Sequence, residues 1–195
     1  YLAQGKSRAM LEKFGADGLP PQARLDMLLL RGRAQINLSQ LDAAMSSAKL
    51  AAQVPGGTSR ALALQARIHL NAGRPDDAMA TVREALRVSP RDADALNMQA
   101  SILHVRGDLQ GATREYGRVL EVQPANLEAR LARTGILLDL QRDSEAKTDL
   151  DYLQKNYTYD PRGAYLRALY ASRRGDEEGV RTALQQATRI LSQLA

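Results

Sequence analysis

The chain has no cysteine and no tryptophan, and only one phenylalanine and two histidines among its 195 residues. Without thiols there are no disulfides and no thiolate metal sites, although this absence does not choose between the cytoplasm and an oxidising compartment. His69 and His104 are too few for a zinc centre, which takes three or four convergent ligands, so two partly packed histidines are expected and no metal. The scarcity of aromatics leaves few platforms for stacking bases, so a net charge of +5 permits a nucleic-acid ligand without favouring one. No run approaches the roughly 18 apolar residues of a membrane span. The opening string "YLAQGKSRAM" lacks the order of charged, apolar and small residues that marks a signal peptide. The sequence begins at Tyr1 rather than Met, so a fragment of a longer chain is expected.

Against these absences stands an ordinary globular composition, 44% hydrophobic and 25% charged, with a strict internal period. "GRPDDAMATVREALRVSP" (Gly73 to Pro90) is echoed 34 residues later by "GDLQGATREYGRVLEVQP" (Gly107 to Pro124). Laid out at that spacing, one slot reads Met10, Ala44, Ala78, Ala112, Ala146 and Val180, and another Gly5, Ser39, Gly73, Gly107, Gln141 and Gly175. A third holds Thr58, Asp92, Asn126 and Asp160, residue types that cap helix N-termini. Between these marks the apolar residues recur at helical spacing, as in Leu96, Ala100 and Leu103 and then Ala112, Tyr116 and Val119. Each unit is therefore a pair of helices, with the Gly slot at the turn and Pro90 and Pro124 stopping the second helix.

The Ala slot has a packing cause, since two antiparallel helices approach closely only where a small residue sits at the crossing. The first helices supply the facing slot, Gly32, Ala66, Ala100, Thr134 and Ala168. Larger residues are expected to interlock around it: Phe14, Ala48, Val82, Tyr116, Leu150 and Leu184, with Val54, Val88, Val122 and Ile190.

The period and the order of small, large and Pro slots resemble the tetratricopeptide repeat family. The resemblance implies an all-α, right-handed superhelical solenoid of about eleven helices forming a single domain over residues 1–195. A half repeat (1–24) would precede full repeats near 25–58, 59–92, 93–126, 127–160 and 161–194. The fourth unit departs from the pattern, with Gln141 and Thr158 in the Gly and Pro slots and Arg130 where Leu28, Leu62 and Leu96 stand elsewhere. Further, "EARLARTGILLDL", "AKTDLDYL", "DPRGAYLRALYASRRGD" and "ALQQA" resemble the repeat lipoprotein of the exosortase (PEP-CTERM) sorting system of Gram-negative bacteria. That likeness implies a periplasmic or outer-membrane-anchored array working in exopolysaccharide export or protein sorting, with the cytoplasm as alternative. Its anchoring Cys would lie upstream of Tyr1, the only expected route to a membrane.

No catalytic constellation is present. "PGGTSR" (Pro55 to Arg60) has paired glycines without the Lys-Ser/Thr ending of a phosphate loop, so it reads as a unit boundary. The acid pairs Asp76 with Asp77 and Glu177 with Glu178 fall in first turns, where the helix dipole explains them. Five tyrosines, Tyr152, Tyr157, Tyr159, Tyr165 and Tyr170, crowd one stretch and fit either an interface or core packing. Neither an enzyme nor a cofactor is expected. Function then falls to the concave groove that first helices line in the resembling family. The slots facing it are Arg33 with Asn37, Arg67 with Asn71, Asn97 with Ser101, and Leu131 with Gly135. The Lys and Asn clamp of chaperone-binding members is missing, with Leu29, Ala63, Leu64, Asp94 and Met98 in its region. The expected function is a protein-interaction scaffold whose Arg forks and Asn amides suit an acidic peptide. The alternative is a basic helical-repeat module that binds RNA or another polyanion.

Overall fold

The computed structural model describes residues 6–9, 11 and 16–194; the slot residues Gly5, Met10 and Phe14 lie outside them. Helical residues at 6–9 and 11 precede ten further helices, and no strand occurs among the described residues. These are α1 (Pro21–Asn37), α2 (Leu41–Ala52), α3 (Thr58–Asn71), α4 (Pro75–Val88), α5 (Ala93–Val105), α6 (Leu109–Val122), α7 (Leu127–Asp139), α8 (Asp143–Asn156), α9 (Pro161–Arg173) and α10 (Glu177–Leu194). Isolated helices of 12 to 18 residues are marginal in water, so their stability must come from the faces they bury.

The chain forms two compact units, Tyr1–Gly107 and Asp108–Ala195. In the first, α1 pairs with α2 and α3 with α4, while α1, α3 and α5 stack as neighbours. Ala66, Ala78, Val82, Met98 and Ile102 make one buried cluster across α3, α4 and α5. Gly32 meets the next first helix: a Cβ there would lie 2.5 Å from Leu64 Cδ2, so a larger residue would require the Leu64 side chain to move. In the second unit α7 pairs with α8 and α9 with α10, and Leu137, Leu138 and Ala146 pack with Leu166 and Tyr170.

The Ala slot is the innermost one. Ala44, Ala78, Ala112 and Ala146 are all 0% exposed, while Val180 is half-buried. The turn slot shows what its glycines are for: Gly73, Gly107 and Gly175 have φ of 72°, 80° and 69°, and Ser39 and Gln141 are held at 59°. The left-handed turn thus survives the loss of Gly, because the following amide closes back onto the helix, Gln40 N–H to Gln35 O at 2.8 Å and Arg142 N–H to Leu137 O at 2.9 Å. Before Pro90 and Pro124, Ser89 and Gln123 leave helical geometry for extended backbone, as a following proline requires.

Three expectations need correction. Thr58 is not a cap: Gly57, with φ −85° and ψ −12°, takes the N-cap place without a side-chain bond, so Thr58 is already the first residue of α3. Asp92, Asn126 and Asp160 do cap, accepting from Ala95, Ala129 and Arg162 N–H. Val88 is 49% exposed because it is the last residue of α4, at the edge of the packed face. Leu184 is 44% exposed, since Ala183 and Ile190 turn the buried stripe of α10 inward and Leu184 with Leu191 lies outside it. Sequence inspection also missed two caps, Asp108 and Asp176, which accept from Gly111 and Gly179 N–H at 2.8 Å.

Candidate functional site

In the first unit α1, α3 and α5 lie side by side, so residues spaced by 34 become neighbours. Arg33 and Arg67 line one small notch together with Arg60 and Asp94, above a floor of Leu29, Ala63 and Leu64. The register therefore brings the two predicted arginines together. They do not form a simple two-by-two array with Asn37 and Asn71. Asn37 donates to Ser7 Oγ at 3.4 Å and Asn71 to the Arg67 carbonyl at 2.9 Å, in its own helix. Ser101 likewise donates to the Asn97 carbonyl at 2.9 Å. The Oδ1 of Asn97 is buried with no partner in the described residues, out of reach of a ligand on the surface. In the second unit Leu131 is 8% exposed and Gly135 approaches Leu166, so this pair offers packing and no polar contact.

What organises the notch is a charge ladder that the sequence reading passed over. Asp26, Arg60 and Asp94 occupy one slot of successive first helices, with Arg60 Nη1 to Asp26 at 2.7 Å and Arg60 Nε to Asp94 at 3.3 Å. Arg33 Nη2 joins through Asp94 Oδ1 at 2.8 Å. The signal was available as opposite charges at 34-residue spacing. These side chains are 31% to 46% exposed, so each pair stabilises by about 1 kcal/mol at most, and the ladder's effect is to fix where the guanidinium groups stand. The Arg60 hydrogen bond holds the Asp26 carboxyl below its usual range. Burial alone would lower the Arg60 guanidinium, but bonds to Asp26 and Asp94 outweigh it and leave the net shift upward.

The same slot continues in the second unit as Glu128 and Arg162, paired at 2.9 Å, with Arg162 also bound to Asp160 at 2.7 Å. Deeper in that unit lies an ionic cluster in the helix pair with the irregular sequence. Asp149, 0% exposed, accepts from Arg130 Nη1 at 2.6 Å and from both Arg133 Nε and Nη2 at 2.7 and 2.6 Å. Arg130 also donates to the Pro124 carbonyl and stacks 3.7 Å over the Tyr152 ring. Its odd place in a leucine slot is thereby explained: a carboxylate and an aromatic face replace the hydrocarbon contacts. The tyrosine stretch divides. Tyr152 packs near Tyr157, whose hydroxyl donates to the Ala125 carbonyl, while Tyr159 and Tyr165 are 79% and 54% exposed. His69 is half-buried and His104 exposed. Among the described residues, no group of three or more His, Asp or Glu could hold a metal ion, and no helix is long and apolar enough to cross a membrane.

Comparison with known proteins agrees with this architecture. Residues 63–123 match the tetratricopeptide repeat family. No curated protein matches the chain. Among solved structures, MamA superposes with a TM-score of 0.68 at 13% identity, over 83% of this chain and 95% of its own. A tetratricopeptide repeat protein from Parabacteroides merdae gives 0.65 at 20% identity, over 87% and 66%. YrrB, described as a repeat protein with an unusual peptide-binding site, gives 0.63 at 15% identity, over 96% and 93%. Helical pairs turned on a left-handed residue every 34 positions, the match over residues 63–123 and the shared architecture lead to one conclusion: the chain has the all-α fold of a tetratricopeptide repeat solenoid.

Proposed function

We propose that the chain is a non-catalytic scaffold that holds an acidic peptide, or an acidic segment of a partner protein, on the face formed by α1, α3 and α5. Arg33 and Arg67 are the anchors, with Asn37, Asn71, Asn97 and Ser101 as flanking polar contacts. The observation that carries this reading is the bond from Arg33 to Asp94, an internal example of a carboxylate seated in the notch. Because that pair is partly exposed, a ligand carboxylate can replace Asp94 at little cost. YrrB lends support as a peptide-binding protein of the same fold. An array of blocked acidic peptides and their amide counterparts, probed with wild type and with Arg33→Ala/Arg67→Ala, tests it. Binding of acidic peptides by the wild type alone is expected, with circular dichroism confirming that the variant is folded. Equal binding by both proteins sinks the groove site.

The cellular setting we propose is exopolysaccharide export or PEP-CTERM protein sorting, on the strength of the strings "DPRGAYLRALYASRRGD" and "ALQQA". The coding sequence upstream of Tyr1 tests this, because an apolar segment ending in Cys is required. The net charge of +5 supports a second reading, a polyanion-binding module. Steep loss of RNA binding with salt, without peptide selectivity, would favour it.

A further inference from the structure

The fifth repeat lacks an internal partner that the fourth repeat has. Arg133 and Arg167 occupy the same slot of α7 and α9, one period apart, and the slots that follow each by 16 residues hold Asp149 and Ala183. In the fourth repeat Asp149 clasps Arg133 through both oxygens. In the fifth, the buried methyl of Ala183 stands where that carboxylate would begin. Arg167 is still half-buried, and its one hydrogen bond among the described residues is to a neutral group, Gln186 Oε1, at 2.6 Å. Burial lowers its guanidinium pKa, and among the described residues no carboxylate forms an ion pair with it.

Arg167 lines a cleft of about 460 Å³ between α8, α9 and α10, with Leu150, Tyr170 and Ala183 as apolar wall. That volume is within the usual range of ligand sites. Three acids share the lining, and each is already committed: Asp151 to Lys147 at 2.6 Å, Asp176 to Gly179 N–H at 2.8 Å, and Glu178 to Arg181. The guanidinium alone is left with a neutral partner, in a place where the preceding repeat shows what it binds. We propose that this cleft binds a carboxylate presented between apolar groups, an acidic residue of a peptide, which seats on Arg167 as Asp149 seats on Arg133. An Arg fork receives a carboxylate in two parallel bonds, and the apolar wall takes the flanking side chains. This site is separate from the notch of the first unit and stands whether or not that notch binds peptide.

The test is an NMR titration that follows the Arg167 Nε–H signal with acetyl-Leu-Asp-Leu-amide, with its Asn counterpart and with sodium acetate. The Asp peptide is expected to bind at least about tenfold more tightly than the Asn peptide, a difference of about 1.4 kcal/mol. Ala183→Asp supplies an internal carboxylate, so it should abolish the response and raise the unfolding midpoint. Arg167→Gln, monitored by backbone amides of α9, should lose the preference for Asp. Undiminished peptide binding by Ala183→Asp, or equal binding of the Asp and Asn peptides by wild type, overturns the site. Acetate binding as tightly as the peptide overturns the peptide assignment and points to a small free carboxylate.

Discussion

Removing the Asp149 carboxylate is the most demanding test of the irregular fourth repeat. Asp149→Ala deletes three short bonds at once and leaves the Arg130 side chain, 9% exposed, and the Arg133 side chain, 24% exposed, with charges that water reaches poorly. Breaking a buried ion pair from one side costs about 3–5 kcal/mol. The Pro124 carbonyl and the Tyr152 face still hold Arg130, so the lower end, about 3 kcal/mol, is expected. Urea unfolding followed by tyrosine fluorescence suits the question. The chain has no Trp, and six of its seven tyrosines lie in Asp108–Ala195, so the signal reports the affected unit. The double variant Arg130→Leu/Asp149→Ala restores the leucine found at positions 28, 62 and 96 and should recover the share of the loss that the stranded Arg130 carries, while Arg133 stays unpaired, because a buried pair exchanged for apolar groups is often neutral. The destabilisation should also persist in high salt, unlike that of an exposed pair. A midpoint for Asp149→Ala within about 0.5 kcal/mol of wild type would refute the reasoning.

Three further outcomes follow from other parts of the fold. Asp92→Ala should cost about 1 kcal/mol by freeing the Ala95 amide, whereas Thr58→Ala should cost almost nothing; equal urea midpoints would return Thr58 to the caps. Ala112→Leu, at a site 0% exposed, should overpack by about 1–3 kcal/mol, and Arg114→Leu on the exposed side should leave thermal stability nearly unchanged. Bonds from Arg162 hold the Asp160 carboxyl below the value of about 3.9 expected for an unfolded chain. A depressed acid stabilises the fold above the unfolded value, and the contribution disappears as pH falls through the folded one. Asp160→Asn should therefore be less stable at neutral pH and lose less on acidification; parallel pH profiles would count against the pairing.

Most of the fold could be read from the sequence because its turns and crossings use residues with few substitutes. Only a small side chain fits the slot of Ala78 and Ala146, and the left-handed turn announces itself through Gly73 and Gly107. Even the exceptions kept their place, since Ser39 and Gln141 bend as glycine does. Boundaries were harder, as with Thr58, where a flanking glycine moved the helix start by one residue. The nearness of Arg33 and Arg67 was legible and their pairing was not. Register put Arg33 beside Arg67, but whether Arg33 reaches Asp94, solvent or a ligand depends on side-chain rotamers that no period encodes. Likewise Arg130 breaks the leucine pattern, and the partner that accounts for it, Asp149, stands across the helix pair, 19 residues away.

The ladder of Asp26, Arg60 and Asp94 has a consequence for how such a chain can change length. For packing, the modules 25–58, 59–92 and 93–126 are alike, since each keeps the leucine of positions 28, 62 and 96 and the buried alanine at 44, 78 and 112. For charge they are not: excising residues 59–92 would set Asp26 shoulder to shoulder with Asp94, and like charges at contact distance repel by about 1 kcal/mol or more. Inserting a copy of the two modules 25–92 ahead of Asp94 keeps the signs alternating from Asp26 to Asp94, the stretch before the slot passes to Glu128. In this stretch the hydrophobic code has a period of one module and the electrostatic code a period of two, so lengthening it by recombination is cheap only in even steps.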